Sequence, residues 1–224
     1  MNKTMHIESN KKGFTLVELL VAMAITGIVA GAIFTAFQSQ QKSYITQDQV
    51  TEMQQNLRAG MGLMVREIRM AGCDPTRAAA ADIQTANANS ITFTLDITNT
   101  AGTGDPDGLL DGPNENITYS LYTAGGIQKL GRKSPSTANN QPVAENIDAL
   151  DFVYLDSNGA PTVTISDIRS AQITMVARAG REDPGFANNT AYKNQQGTTI
   201  YTALNDSFRR RLLSTTVKCR NMGL

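Results

Sequence analysis

The sequence predicts an α+β protein: one long amino-terminal α-helix packed on an antiparallel β-sheet with long loops. Three observations predict it. An apolar run begins at Phe14 and passes, without a proline, into an amphipathic pattern that stops at Gly72. Beyond Ser90, apolar residues recur at every second position in several short stretches, the period of strands with one covered face. Polar stretches at about 97–115, 131–146 and 180–198 separate them, loops long enough to carry function.

The first element is a basic leader, residues 1–13, which carries Lys3, Lys11, Lys12 and Glu8 and ends in Gly13. Phe14-Thr15-Leu16-Val17-Glu18 follows and runs into LLVAMAITGIVAGAIFTAF. From Leu16 to Phe37, Glu18 is the only charged residue. At about 1.5 Å per residue this run reaches about 33 Å, enough to cross a hydrocarbon core. A carboxylate in such a run is costly unless something offsets it. A cut after Gly13 would give Phe14 a cationic α-amine one helical turn from Glu18, able to pair with its own carboxylate or a neighbour's. The leader lysines favour a cytoplasmic amino terminus, with the bulk of the chain across the membrane. A discarded secretory signal has a shorter apolar core, with its cleavage site after that core. Here the glycine comes first, so cleavage keeps the helix. Gly27 and Gly31 form a small-xxx-small pair that permits close helix approach.

The second half of the helix is amphipathic. Val50, Met53, Leu57, Met61, Met64 and Ile68 fall on one face, with Gln, Glu and Arg elsewhere. Gly60 and Gly62 each weaken it by about 1 kcal/mol relative to alanine, and they would let a sheet approach closely. Gly72 and Pro75 are its stop signals. An Ala-, Asn- and Thr-rich connector leads to the strands. These are expected around Ile91-Phe93-Leu95, Ile117-Tyr119-Leu121, Leu150-Phe152-Tyr154, Ala171-Ile173-Met175-Ala177 and Leu212–Cys219. Four segments follow: 1–13 leader, 14–37 apolar helix, 38–72 amphipathic half, and 73–224 globular sheet domain.

KKGFTLVELLVAMAITGIVAGAIF resembles the amino terminus of type IV prepilins and pseudopilins. The resemblance implies a pilin-like fold and two processing positions. A membrane prepilin peptidase and N-methyltransferase would cut after Gly13 and methylate Phe14. Glu18 would serve assembly, and the apolar helix with Gly27 and Gly31 would form the filament core. No proline occurs between Phe14 and Gly72, which leans toward a minor component. Arg66-Glu-Ile-Arg-Met-Ala-Gly-Cys-Asp-Pro75 and the Arg211–Asn221 stretch resemble PilW-type minor pilins, related to the J-type pseudopilins of type II secretion. The implied function is structural: priming or capping a type IV pilus, or doing the same for a secretion filament. The implied partners are other minor pilins, the major pilin and the inner-membrane assembly platform. The implied location is the bacterial inner membrane, with a periplasmic domain, and then the pilus. A reading of another class is a membrane-anchored adhesin whose loops recognise a surface.

Composition narrows the chemistry. Charge balances overall, with 20 basic and 20 acidic residues, so nothing marks a nucleic-acid binder. The only histidine, His6, lies in the leader. A processed chain would hold none, which excludes Ser-His-Asp triads, HExxH sites and histidine acid–base schemes, and no motif points to an enzyme. No cofactor is implied, although Asp105, Asp107 and Asp111 resemble part of a calcium loop. That loop would want an acid at Thr103 and a bidentate glutamate at Asn114, and it has neither; calcium stays open beside a solvated acidic turn. Cys73 and Cys219 are expected to pair in a disulfide-permissive compartment, closing a loop of about 147 residues; the alternative is two separate buried thiols. The basic stretch Arg209-Arg210-Arg211, with Lys218 and Arg220, reads either as a solvated strand edge or as a contact for acidic neighbours.

Overall fold

A single helix, α1 (Leu16–Ile68), carries both halves of the amino-terminal pattern. It belongs to a computed structural model that describes residues 13–202 and 205–223. The leader, up to residue 12, lies outside the described residues. The chain divides into two units, Met1–Gln47 and Asp48–Leu224.

In the first unit, the apolar residues of α1 are solvent-facing all round, from Leu16 through Phe37. The helix is long and apolar enough there to cross a membrane.

In the second unit, α1 buries Met53, Leu57, Gly60, Met61, Met64 and Ile68, the stripe expected from the period, with Val50 half-buried beside them. The helix stops at Ile68, slightly before the expected end. Gly72 takes φ +75°, a conformation that favours glycine, and its N–H donates to Thr94 O.

Ten strands follow. β1 (Ile83–Asn87), β2 (Ser90–Thr94), β3 (Asn116–Ala124), β4 (Ile127–Lys133) and β5 (Gln141–Glu145) form one antiparallel sheet in chain order. β6 (Ile147–Leu155), β7 (Ser170–Arg178) and β10 (Arg210–Lys218) form a second, in the order β10-β7-β6. β8 (Tyr192–Lys193) and β9 (Thr199–Tyr201) make a small hairpin inside the loop between β7 and β10. The sequence pattern indicates one sheet; the structure has two main sheets, because only Asn146, at φ +56°, separates β5 from β6. Residues of α1 and of both main sheets form one core, including Met64, Ile68, Phe93, Tyr119, Leu130, Phe152, Ile173 and Met175.

Two devices dock the helix. Gly60 gives the close approach: a Cβ there would stand 2.9 Å from Ala144 Cβ and 3.4 Å from Leu130 Cδ2. Gly62 faces open space and has no such role. Glu67 supplies the polar lock. Tyr119 donates its hydroxyl to Glu67 Oε2 at 2.6 Å, and Arg132 Nε donates to both carboxylate oxygens at 3.1 and 2.9 Å. Burial and that carboxylate push the Tyr119 hydroxyl far above its ordinary pKa.

Candidate functional site

The candidate site begins where the helix does. Gly13 and Phe14 precede α1 in non-helical backbone, both exposed. Thr15 caps the helix: Glu18 N–H donates to Thr15 Oγ1 at 3.3 Å, while Thr15 N–H and Oγ1–H both donate to Glu18 Oε2 at 3.0 Å. This is a capping box, in which the residue before the helix and the third residue inside it satisfy each other. The carboxylate is thus turned back toward the residue that follows Phe14, and it already has partners inside its own turn. An acidic group at a helix amino terminus is also favoured by the macrodipole. Thr15 was not singled out in the sequence, although Thr15-Leu-Val-Glu18 is the signature of such a box. Gly27 and Gly31 have no atom near a would-be Cβ, so this small-residue face is open among the described residues.

The comparisons bear on this segment. Residues 9–34 match the family model of the prokaryotic N-terminal methylation motif. The amino terminus is of the type IV prepilin kind. No curated protein matches the chain. Among solved structures, a type IV-like pilin from Thermus thermophilus is similar, with a TM-score of 0.48 and 14% identity, over 75% of this chain and 97% of that one. The prepilin-type segment therefore holds Gly13, Phe14 and Glu18 inside the matched stretch, with Thr15 between them.

The acidic loop between β2 and β3 is held by its own carboxylates. Asp105, Asp107 and Asp111 do not converge as a metal cage: among the described residues, no group of three or more His, Cys, Asp or Glu side chains could hold a metal. Asp107 accepts from Thr100 N–H and Leu109 N–H, at 3.1 and 3.0 Å, and Asp111 accepts from the Thr100 hydroxyl at 3.2 Å. The organising charge is Glu115, which is fully buried. Its Oε1 accepts from Ile97 N–H, Thr98 N–H and the Thr98 hydroxyl, and its Oε2 accepts from Gly112 N–H at 2.8 Å. A side chain at Gly112 would collide with that carboxylate. Burial raises the Glu115 pKa, but the amide donors outweigh it and hold the group below its ordinary value. A carboxylate bound by main-chain amides thus closes the loop. Asp96 braces the other side: its Oδ2 accepts from Gly108 N–H and the Thr76 hydroxyl.

The disulfide expectation is corrected. Cys73 and Cys219 are free thiols. Cys219 points into the core, where burial pushes its pKa up to about 11. Cys73 is half-buried, and burial followed by Asp96 and Asp74 raises its pKa. Both thiols are held protonated at neutral pH, the form that does not attack disulfides. The join expected of a disulfide is made by hydrogen bonds instead. Arg220 N–H donates to Arg69 O, and Asn221 Nδ2 donates to Met70 O and Ala71 O.

The basic stretch is corrected in part. Arg210 is not solvated; only 2% of its side chain is exposed. Its Nε donates to Asp148 at 2.6 Å, and its two terminal nitrogens each donate to Asp206 at 2.6 Å. It also lies over the Tyr201 ring, 4.9 Å from the centroid. Arg209 pairs with Asp183 and covers Phe186. The two arginines pin the long loop between β7 and β10. Arg211, Lys218 and Arg220 remain exposed.

Proposed function

We propose that this chain is a structural minor pilin that primes or caps a type IV pilus after leader cleavage and N-methylation. The observation that carries the reading is the pairing of a prepilin-type amino terminus with an exposed apolar helical stretch whose one acid is oriented by Thr15. In the mature chain the Phe14 amine would lie beside the capping box and share the Glu18 carboxylate, its own or a neighbour's. The apolar stretch would leave lipid to pack in a helical bundle, with Gly27 and Gly31 allowing close approach. Other minor pilins and the major pilin are its neighbours in this reading, the inner-membrane platform drives assembly, and the globular domain is periplasmic.

Glu18→Ala tests it in cells that carry the filament machinery. The variant is cleaved after Gly13 as usual but enters filaments poorly. Incorporation at the wild-type level would contradict the role given to Glu18.

A further inference from the structure

Strand β10 leaves one edge of its sheet open. Among the described residues it pairs only with β7, at the end of the order β10-β7-β6. Ala179 N–H donates to Arg209 O, and Cys219 N–H donates to Arg169 O, which fixes the register Arg210↔Arg178 through Lys218↔Ser170. In an antiparallel ladder the residues that bond across alternate. Arg211, Leu213, Thr215 and Val217 therefore bond to β7, while the N–H and C=O groups of Leu212, Ser214 and Thr216 point away from it. None of those outward groups has a hydrogen-bond partner among the described residues. Gln195 reaches only Thr215 O and the Thr216 hydroxyl.

The charged residues that line the groove beside this edge are both cations. A groove of about 230 Å³ between the amphipathic half of α1 and β10 is lined by Gln54, Leu57, Arg58, Arg211, Leu212 and Leu213. At the far end of the strand, Arg69, Lys218 and Arg220 are exposed. None of these five cations has an ion-pair partner among the described residues, unlike Arg209 and Arg210 on the same stretch.

We propose that the β10 edge is a docking site for an extended acidic segment of another protein, which adds to this sheet as a fourth strand. Main-chain pairing with Leu212, Ser214 and Thr216 would give affinity. Alternate side chains would supply apolar contact to the groove and carboxylates to Arg58 and Arg211. A second copy joined β10 to β10 is disfavoured, because it would bring these unpaired cations together. The inference does not depend on the filament reading.

The test uses the full chain in zwitterionic lipid nanodiscs, with hydrogen exchange followed over Arg210–Lys218. The probes are two end-capped hexapeptides, one alternating glutamate and valine, the other lysine and valine. The acidic peptide slows exchange of the outward amides about tenfold, and the basic one leaves it unchanged. The double variant Arg58→Glu, Arg211→Glu reverses that preference. Ser214→Pro removes an outward N–H while sparing the β7 ladder, and it abolishes the slowing. Equal slowing by both peptides, no slowing by the acidic one, or slowing that rises with protein concentration alone would each overturn the proposal.

Discussion

The two stretches of α1, Leu16–Phe37 and Asp48–Ile68, share a helical backbone and differ in where their surface is satisfied. The first exposes its apolar side chains in every direction, and its single charge is met, among the described residues, by its own first turn. The second turns one apolar stripe into a core shared with two sheets, and Glu67 meets Tyr119 and Arg132 there. Helix propensity cannot explain the difference, since both are helix. What separates them is whether the partner surface is encoded in the same chain. The unit Asp48–Leu224 meets two of its buried charges internally, Glu115 by amides and Arg210 by two aspartates. The apolar stretch leaves its demand to a membrane or to other helices.

The largest expected effect would break the claim of internal satisfaction. Arg210→Ala leaves Asp206 without its cation and Asp148 with Arg178 alone, and frees the β7–β10 loop. It lowers stability by about 3–5 kcal/mol, read from the denaturant midpoint. An effect below about 1 kcal/mol, the range of exposed pairs, would mean that the network is a surface ornament.

Next comes a matched pair across the helix. Met64→Ala removes fully buried side-chain volume and costs about 2–5 kcal/mol. Leu20→Ala leaves the unfolding midpoint of the globular unit unchanged, because Leu20 is exposed. Equal losses from both would erase the distinction between the halves.

Glu115 sharpens the comparison through pH. Its folded pKa lies below the ordinary 4.5, so its stabilisation is present above that value and is lost as pH falls through the folded pKa. Glu115→Gln turns an amide donor toward the loop N–H groups and costs about 1–3 kcal/mol at neutral pH. The gap from wild type narrows on acidification below 4.5, as followed by thermal melts across pH. A gap that stays constant with pH would rule out the carboxylate's charge as the cause.

The smallest effects have opposite signs. Gly62→Ala stabilises by about 0.4–1 kcal/mol, because its surroundings are open and the helix gains propensity. Gly60→Ala destabilises, because the added methyl meets Ala144 and Leu130. The same sign at both positions would deny that Gly60 sets the helix–sheet distance.

Much of this architecture was legible in the residues, and the omissions have physical causes. The helical stripe from Met53 to Ile68 is periodic, and it is the face that packs. β2, β3, β6, β7 and β10 show period-two alternation and fall where expected. β4 interleaves Lys129, Gly131 and Arg132 and hides its period. β1 buries only Ile83. β5 carries Pro142, which reads as a loop but is tolerated because β5 is an edge strand. At the candidate site, Gly13, Phe14 and Glu18 stand in local spacing and could be read. Glu115 and Arg210 could not, since beside the local Gly112 and Asp206 their other partners, Ile97 and Thr98 or Asp148, lie across a loop or on another strand.

The central claim is that cleavage after Gly13 turns an anchored precursor into an assembly subunit. The most direct measurement is the intact mass of the protein recovered from a host that carries a prepilin peptidase. The account predicts a chain that begins at Phe14 and carries one methyl group on its amino nitrogen. A chain still bearing residues 1–13 in that host would contradict it.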